Sequence, residues 1–204
     1  MPTTAQRKRR KSGERRVESL LAAAEEIFAD TGYDNATTNQ IAARAGASPG
    51  TLYQFFPNKT AIARTLALRY AAELADIHRD LFGPKSVHAP VALLTSRIVD
   101  THLAFRRRRP GFEAILNATT LSPDVSRELL DGLIERFVAA LLIRAPYESK
   151  ARMTTVAEMC VMAFRGALHL LSQYQSAGKA RIVKELKTLL ERYLEPIAGK
   201  GRSS

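Results

Sequence analysis

The chain has 204 residues, 46% hydrophobic and 25% charged, which is enough length and apolar content for one or two packed domains. Lysine and arginine outnumber acids 31 to 20, and the resulting formal net charge of +11 points to a polyanionic partner, either nucleic acid or an anionic surface. The single cysteine, Cys160, excludes an intramolecular disulfide and a cysteine metal cluster; without an apolar run of about 18 residues or an apolar leader, a cytoplasmic protein with no membrane segment is expected.

Residues 1–13 are read as a disordered basic arm, because Arg7 to Lys11 form an uninterrupted run of positive charge. Val17, Leu20, Leu21, Ala24, Ile27 and Phe28 then recur at steps of three or four, which predicts an amphipathic helix ended by Gly32. Thr37 with Gln40 three residues later forms a capping box and opens a second helix, stopped by Gly46. Ser48 and Pro49 open a third, which runs only to Phe56 because Pro57 disfavours helix in the residue before it. Asn58 caps a fourth helix to about Phe82. Five more are predicted over about 89–108, 111–120, 123–144, 149–176 and 179–197, and no strand pattern is sustained. The expected fold is all-α with about nine helices: a helix-turn-helix unit over 14–60 and a larger bundle over 61–204.

The third helix carries the first candidate site. Leu52, Phe55 and Phe56 form one apolar side that can brace it, while Gly50, Thr51, Tyr53 and Gln54 point elsewhere. A helix offered by its N-terminal end fits a DNA major groove, where Gly50 permits close backbone approach and Thr51, Tyr53 and Gln54 can donate to phosphate or base edges. Lys59 stands in the first turn of the fourth helix, against the helix dipole, a placement that makes sense if a phosphate arrives there.

The stretch Ala36-Thr37-Thr38-Asn39-Gln40-Ile41-Ala42 and the run from Ala45 to Lys59, together with Phe28, Gly32 and Tyr33, resemble the DNA-binding domain of the TetR family of bacterial transcriptional regulators. The resemblance is specific over about residues 14–62; beyond that it extends only to helix number and order. It implies a homodimer with one helix-turn-helix per subunit, usually a repressor released by a small molecule. By position, Thr38, Tyr53 and Lys59 resemble phosphate contacts, and Asn39, Ser48, Pro49, Gly50 and Thr51 resemble residues that touch bases or the adjoining backbone. Pro49 departs from a base-reading residue because it has no polar side chain, and Gln54 stands where an aromatic or histidine is common.

In the bundle, Val156, Met159, Ala163, Ala167, Leu170 and Tyr174 on the eighth helix and Ile182, Leu186, Leu189 and Tyr193 on the ninth form stripes read as a four-helix dimer interface. Phe82, Ile98, His102, Phe105, Phe112, Leu116, Phe137, Leu141, Phe164 and Leu168 are candidate lining for a ligand cavity, with His102 readable either as a satisfied core histidine or as a ligand-polarising one. Arg106 to Arg109 suit a helix C-terminus or an anionic partner. No catalytic motif or metal spacing is found, so neither enzyme activity nor a cofactor is expected. The expected partners are a pseudo-palindromic double-stranded DNA operator, a small-molecule effector and a second copy of the chain. The competing reading is a helical protein that binds nucleic acid or an anionic surface through charge alone.

Overall fold

The computed structural model describes residues 4–83, 86, 88–121 and 123–198. Among these residues it contains nine α-helices and no strand: α1 (Thr4–Asn35), α2 (Thr38–Arg44), α3 (Pro49–Phe55), α4 (Lys59–Leu81), α5 (Val91–Arg108), α6 (Gly111–Leu116), α7 (Pro123–Arg144), α8 (Lys150–Gln173) and α9 (Ser176–Ala198). The all-α expectation holds. The basic arm differs: α1 begins at Thr4, so that arm is helical from this residue, and Ala, Gln, Arg and Lys are all good helix formers. Residues 1–3 lie outside the described set.

The chain divides into two compact units. One comprises the chain up to Ala72 together with Arg106–Leu129, and the other comprises Glu73–Phe105 and the chain from Leu130 onward. The sequence pattern placed everything after residue 60 in the second unit, whereas α6 belongs with α1. The physical reason is Gly111. A Cβ built there would lie 3.0 Å from the backbone oxygen of Glu25 and 3.2 Å from its Cα, so only glycine admits this approach. Around that contact Tyr70 donates its hydroxyl to Glu25 Oε1 at 2.9 Å and stacks edge-on against Phe112. Arg106 pairs with Glu113, and Arg109 lies 3.7 Å from Glu25. Arg106 and Arg109 are thus engaged within the chain rather than set aside for an anionic ligand.

The first unit is organised by breaks in its helices. Gly32 has φ 76° and ψ 158°, a conformation open to glycine and strained for any other residue, and it kinks α1. The chain beyond the kink turns Tyr33 inward onto Phe28, with ring centroids 5.4 Å apart, and its hydroxyl meets Thr60 Oγ1 at 3.1 Å. At the end of α2, Gly46 has φ 61°; its N–H donates to Ala43 O, and that of Ala47 donates to Ala42 O, the two bonds of a Schellman stop. α6 ends at Leu116, four residues earlier than the pattern predicts. The chain then commits Thr119 and Thr120 to Asp34: both backbone N–H groups and both hydroxyls donate to its carboxylate, at 3.0 Å or less.

The second unit is a helical bundle whose core includes Val99, Phe137, Leu141, Met153, Ala157 and Leu190. Ser149 caps α8 by accepting from Arg152 N–H at 3.2 Å. The Arg144 guanidinium donates to Ala89 O at 2.7 Å and Ala198 O at 3.1 Å, fastening the ends of three helices. Cys160 is buried in this core, which pushes its thiol up to about 12 and keeps it unreactive. No helix among the described residues is long and apolar enough to cross a membrane.

Candidate nucleic-acid interface

Three side-chain caps set the geometry of the α2–α3 region. Thr37 accepts from Gln40 N–H at 3.2 Å while Gln40 Oε1 accepts from Thr37 N–H at 2.9 Å, which completes the capping box. Ser48 Oγ accepts from Thr51 N–H at 3.1 Å and lies 2.9 Å from Thr51 Oγ1. Asn58 Oδ1 accepts from Ala61 N–H at 2.9 Å. Each cap satisfies a donor that the first turn of a helix leaves without an intrahelical partner.

α3 is held from beneath by Leu52, which is fully buried, and by Phe56, which is 6% exposed. Phe55 was expected on the same side, but it is 37% exposed. The helix stops at Phe55, and Phe56 adopts an extended conformation (φ −134°, ψ 115°). Phe56 therefore drops into the core while Phe55 stays at the edge, where a Cβ on Gly13 of α1 would lie 3.8 Å from its ring.

The outer face carries the residues singled out from the sequence. Asn39, Ser48, Pro49, Gly50, Tyr53 and Gln54 are exposed, and Thr38 and Thr51 are half-buried. Tyr53 Oη and Thr38 Oγ1 are 3.0 Å apart, so the two expected phosphate contacts form one hydroxyl pair bridging α3 and α2. A Cβ on Gly50 would meet nothing closer than Ser48 Oγ at 3.9 Å, so this chain's own packing does not require a glycine there. Ser48 is committed to its cap, while Asn39, Gln54 and the Pro49-Gly50 step are presented outward. Lys11, Arg15 and Arg16 stand exposed on α1, one turn or less from Gly13, and add positive charge beside the C-terminal edge of α3.

Lys59 is placed differently from the expectation. Its ammonium donates to Tyr33 O at 2.7 Å, Ala36 O at 2.9 Å and Asp34 O at 3.1 Å, and it lies 4.4 Å from the centroid of the Tyr33 ring. All three of its protons are matched by carbonyls at the end of α1. Burial pushes its pKa down, opposed by the Asp34 charge. The cation at the start of α4 is explained by the C-terminal dipole of α1, and Lys59 is a clamp inside the unit rather than an open phosphate ligand.

Several supporting residues escaped the sequence reading. Asp34 is one; its four donors hold the carboxyl well below the usual range. Arg44 reaches from α2 to Glu26 at 2.7 Å and Asp30 at 3.7 Å. Arg69 makes a two-pronged pair with Glu18, at 2.6 and 2.7 Å. These contacts span 14 to 86 residues of sequence; opposite charge could have hinted at the Arg44 and Arg69 pairs, and nothing local hints at the threonines on Asp34.

The other predicted groups divide. Phe112 and Leu116 belong to the core of the first unit, and the remaining candidate lining belongs to the second. In the second unit Phe105, Phe137 and Leu141 are buried, and Phe82, Ile98, His102, Phe164 and Leu168 are half-buried. Of the dimer stripe, Val156, Ala167 and Leu186 face the bundle's own core. Ala163 and Ile182 are half-buried, and Met159, Leu170, Tyr174, Leu189 and Tyr193 are between 38% and 56% exposed. An open groove of about 630 Å³ runs between α8 and α9, lined by Gly166, Leu170, Ile182 and Leu189 among others.

Two family models match the chain. One, described as bacterial regulatory proteins of the tetR family, matches residues 20–66; the other, a tetracyclin repressor-like C-terminal domain, matches residues 90–194. The nucleoid occlusion factor SlmA of Haemophilus ducreyi is 29% identical over 131 residues, covering 61% of this chain and 63% of that protein, so the match spans less than two thirds of that relative. A TetR-family transcriptional regulator from Streptomyces coelicolor superposes with a TM-score of 0.66 at 23% identity, over 89% of this chain and 99% of that one. SmeT of Stenotrophomonas maltophilia, solved with triclosan, gives 0.69 at 20% identity, over 92% and 94%. These two structures share the fold.

Proposed function

The chain belongs to the tetR family of bacterial regulatory proteins, and from that premise we propose that it is a sequence-specific transcriptional regulator. More narrowly, we read it as a repressor whose hold on its operator is released by a small molecule bound in the second unit. The observation that carries the reading is the outward face of α3: a capped helix, braced by Leu52 and Phe56, that presents Pro49, Gly50, Tyr53 and Gln54 to solvent. An α-helix fits the major groove, and its N-terminal residues reach base edges.

The division of labour follows from chemistry. Tyr53 and Thr38 donate hydroxyls to phosphate and set register, whereas Asn39, Thr51 and Gln54 supply base or backbone contacts near the groove floor. Lys11, Arg15 and Arg16 contribute sequence-independent attraction. A second copy joins through the exposed apolar groups of α8 and α9, giving two reading heads about 34–36 Å apart, one helical turn of DNA. α4 contributes Lys59–Ala72 to one unit and the rest of its length to the other, so it provides a continuous path between effector and reading head. The effector must bind the released state more tightly than the DNA-bound state, or the equilibrium does not move.

Selection of bound fragments from a random duplex pool tests the reading. The expected result is a pseudo-palindrome with half-sites one turn apart, bound by two chains. Equal recovery of all sequences, with affinity set only by salt, would instead establish the charge-driven binder.

A further inference from the structure

The second unit buries a polar pair that DNA binding does not use. His78, on α4, is only 1% exposed, and its Nε2 lies 3.0 Å from Nε2 of His102 on α5. His102 Nδ1 lies 2.8 Å from the backbone oxygen of Ile98. A carbonyl can only accept, so His102 Nδ1 carries a proton. In a neutral ring His102 Nε2 is then a bare lone pair, and the bond between the rings requires His78 Nε2 to be the donor. Burial pushes His78 down to about 3, so this ring is neutral and carries only that one proton. Its Nδ1 is therefore a lone pair, buried and without any hydrogen-bond partner. An acceptor left this way is an exception among native interiors.

The surroundings are aromatic. Phe82 lies 5.6 Å from the His78 ring and stacks on Phe137 at 5.8 Å, and Phe164 meets His102 edge-on at 5.8 Å. Phe82, Ile98, His102 and Phe164 are each only half-buried, so this wall keeps partial access to solvent.

We propose that His78 Nδ1 is the polar anchor of the effector site, and that the effector is an uncharged, mostly apolar molecule carrying a hydrogen-bond donor, such as a phenol or an alcohol. This rests on the reading of the protein as an effector-released regulator. A carboxylate or phosphate would bring its own lone pairs against that of His78 and would lose its hydration among phenylalanines. A cation would meet the charge of Arg136.

The test uses the full chain at pH 8 with three probes of similar shape: 4-pentylphenol, its methyl ether 4-pentylanisole, and 4-pentylbenzoate. Long-range ¹H–¹⁵N spectra of the histidines should show the Nε2–H tautomer for His78 and the Nδ1–H tautomer for His102. In calorimetry the phenol should bind about tenfold or more tighter than the ether or the benzoate, the worth of one buried hydrogen bond. It should also displace the His78 Nδ1 resonance. Equal binding of phenol and ether overturns the proposal, as does no binding of the phenol up to its solubility limit, or binding that leaves that resonance in place. His78→Phe should abolish the preference for the phenol; the resonance of the unmodified protein decides the matter if this variant does not fold. A gel shift on the selected duplex separates the two levels: phenol bound at His78 without release of DNA sinks the effector reading and leaves the anchor chemistry standing.

Discussion

Lys59→Met offers a sharp separation between two roles for one residue. The substitution keeps the side chain's length and apolar stem and removes the ammonium that donates to Tyr33 O, Asp34 O and Ala36 O. A hydrogen bond from a charged donor contributes about 1.5–3 kcal/mol, but carbonyls at a helix end regain water when their partner leaves. The net loss for the three together is therefore about 2–3 kcal/mol. In a chain of this size each kcal/mol shifts the melting temperature by about 2–4 °C, which gives a fall of about 4–12 °C. Thermal unfolding followed by circular dichroism measures it. The same variant titrated with duplex at several salt concentrations should keep the slope of log K against log salt, because no phosphate contact has been lost. A phosphate ligand would behave oppositely: an unchanged melting temperature and a slope shallower by about 0.9. That second pair of results would refute the clamp.

Gly111→Ala should cost about 1–3 kcal/mol in urea unfolding, because the added methyl meets the backbone of α1 at Glu25 rather than a side chain that can move aside; an unchanged midpoint would mean that α6 lies further from α1 than described. The Asp34 carboxyl is held low by Thr119 and Thr120. Its contribution is therefore fully present above the ordinary aspartate value of about 3.9 and is lost as pH falls below it. Urea titrations from pH 6 to pH 3 should show the native chain losing more stability than Asp34→Asn, and parallel profiles would contradict that bonding. Leu189→Glu, on the groove between α8 and α9, should yield a helical monomer of reduced DNA affinity by light scattering and gel shift; a persistent dimer at about 10 µM would move the interface elsewhere.

The features readable from sequence are those whose cause is local. Thr37 with Gln40, Ser48 with Pro49, and Asn58 each satisfy donors within three residues of themselves, so the spacing alone announces the helix start. Gly32 and Gly46 signal their backbone conformations because few other residues tolerate them. The failures are long-range. Nothing near Lys59 in sequence shows that the end of α1 lies under it, 23 to 26 residues earlier. Nothing near Asp34 announces Thr119 and Thr120, 85 and 86 residues later. Gly111 opens a predicted helix, and nothing beside it in sequence shows that it also serves a close approach to α1 at Glu25. In the α8 stripe, helical periodicity identified Val156 and Met159 as apolar neighbours. It could not tell that Val156 packs within its own chain while Met159 is left in water.

The three caps around α2 and α3 bear on kinetics. With Thr37, Ser48 and Asn58 already bonded, the segment meets DNA in its working shape and has little conformational freedom left to surrender on contact. Encounter rates should then be nearly alike for correct and incorrect sequences, governed by diffusion and ionic attraction. Discrimination between sites should reside in how long the complex survives, so a preferred duplex would be recognised by its slow departure rather than its fast arrival.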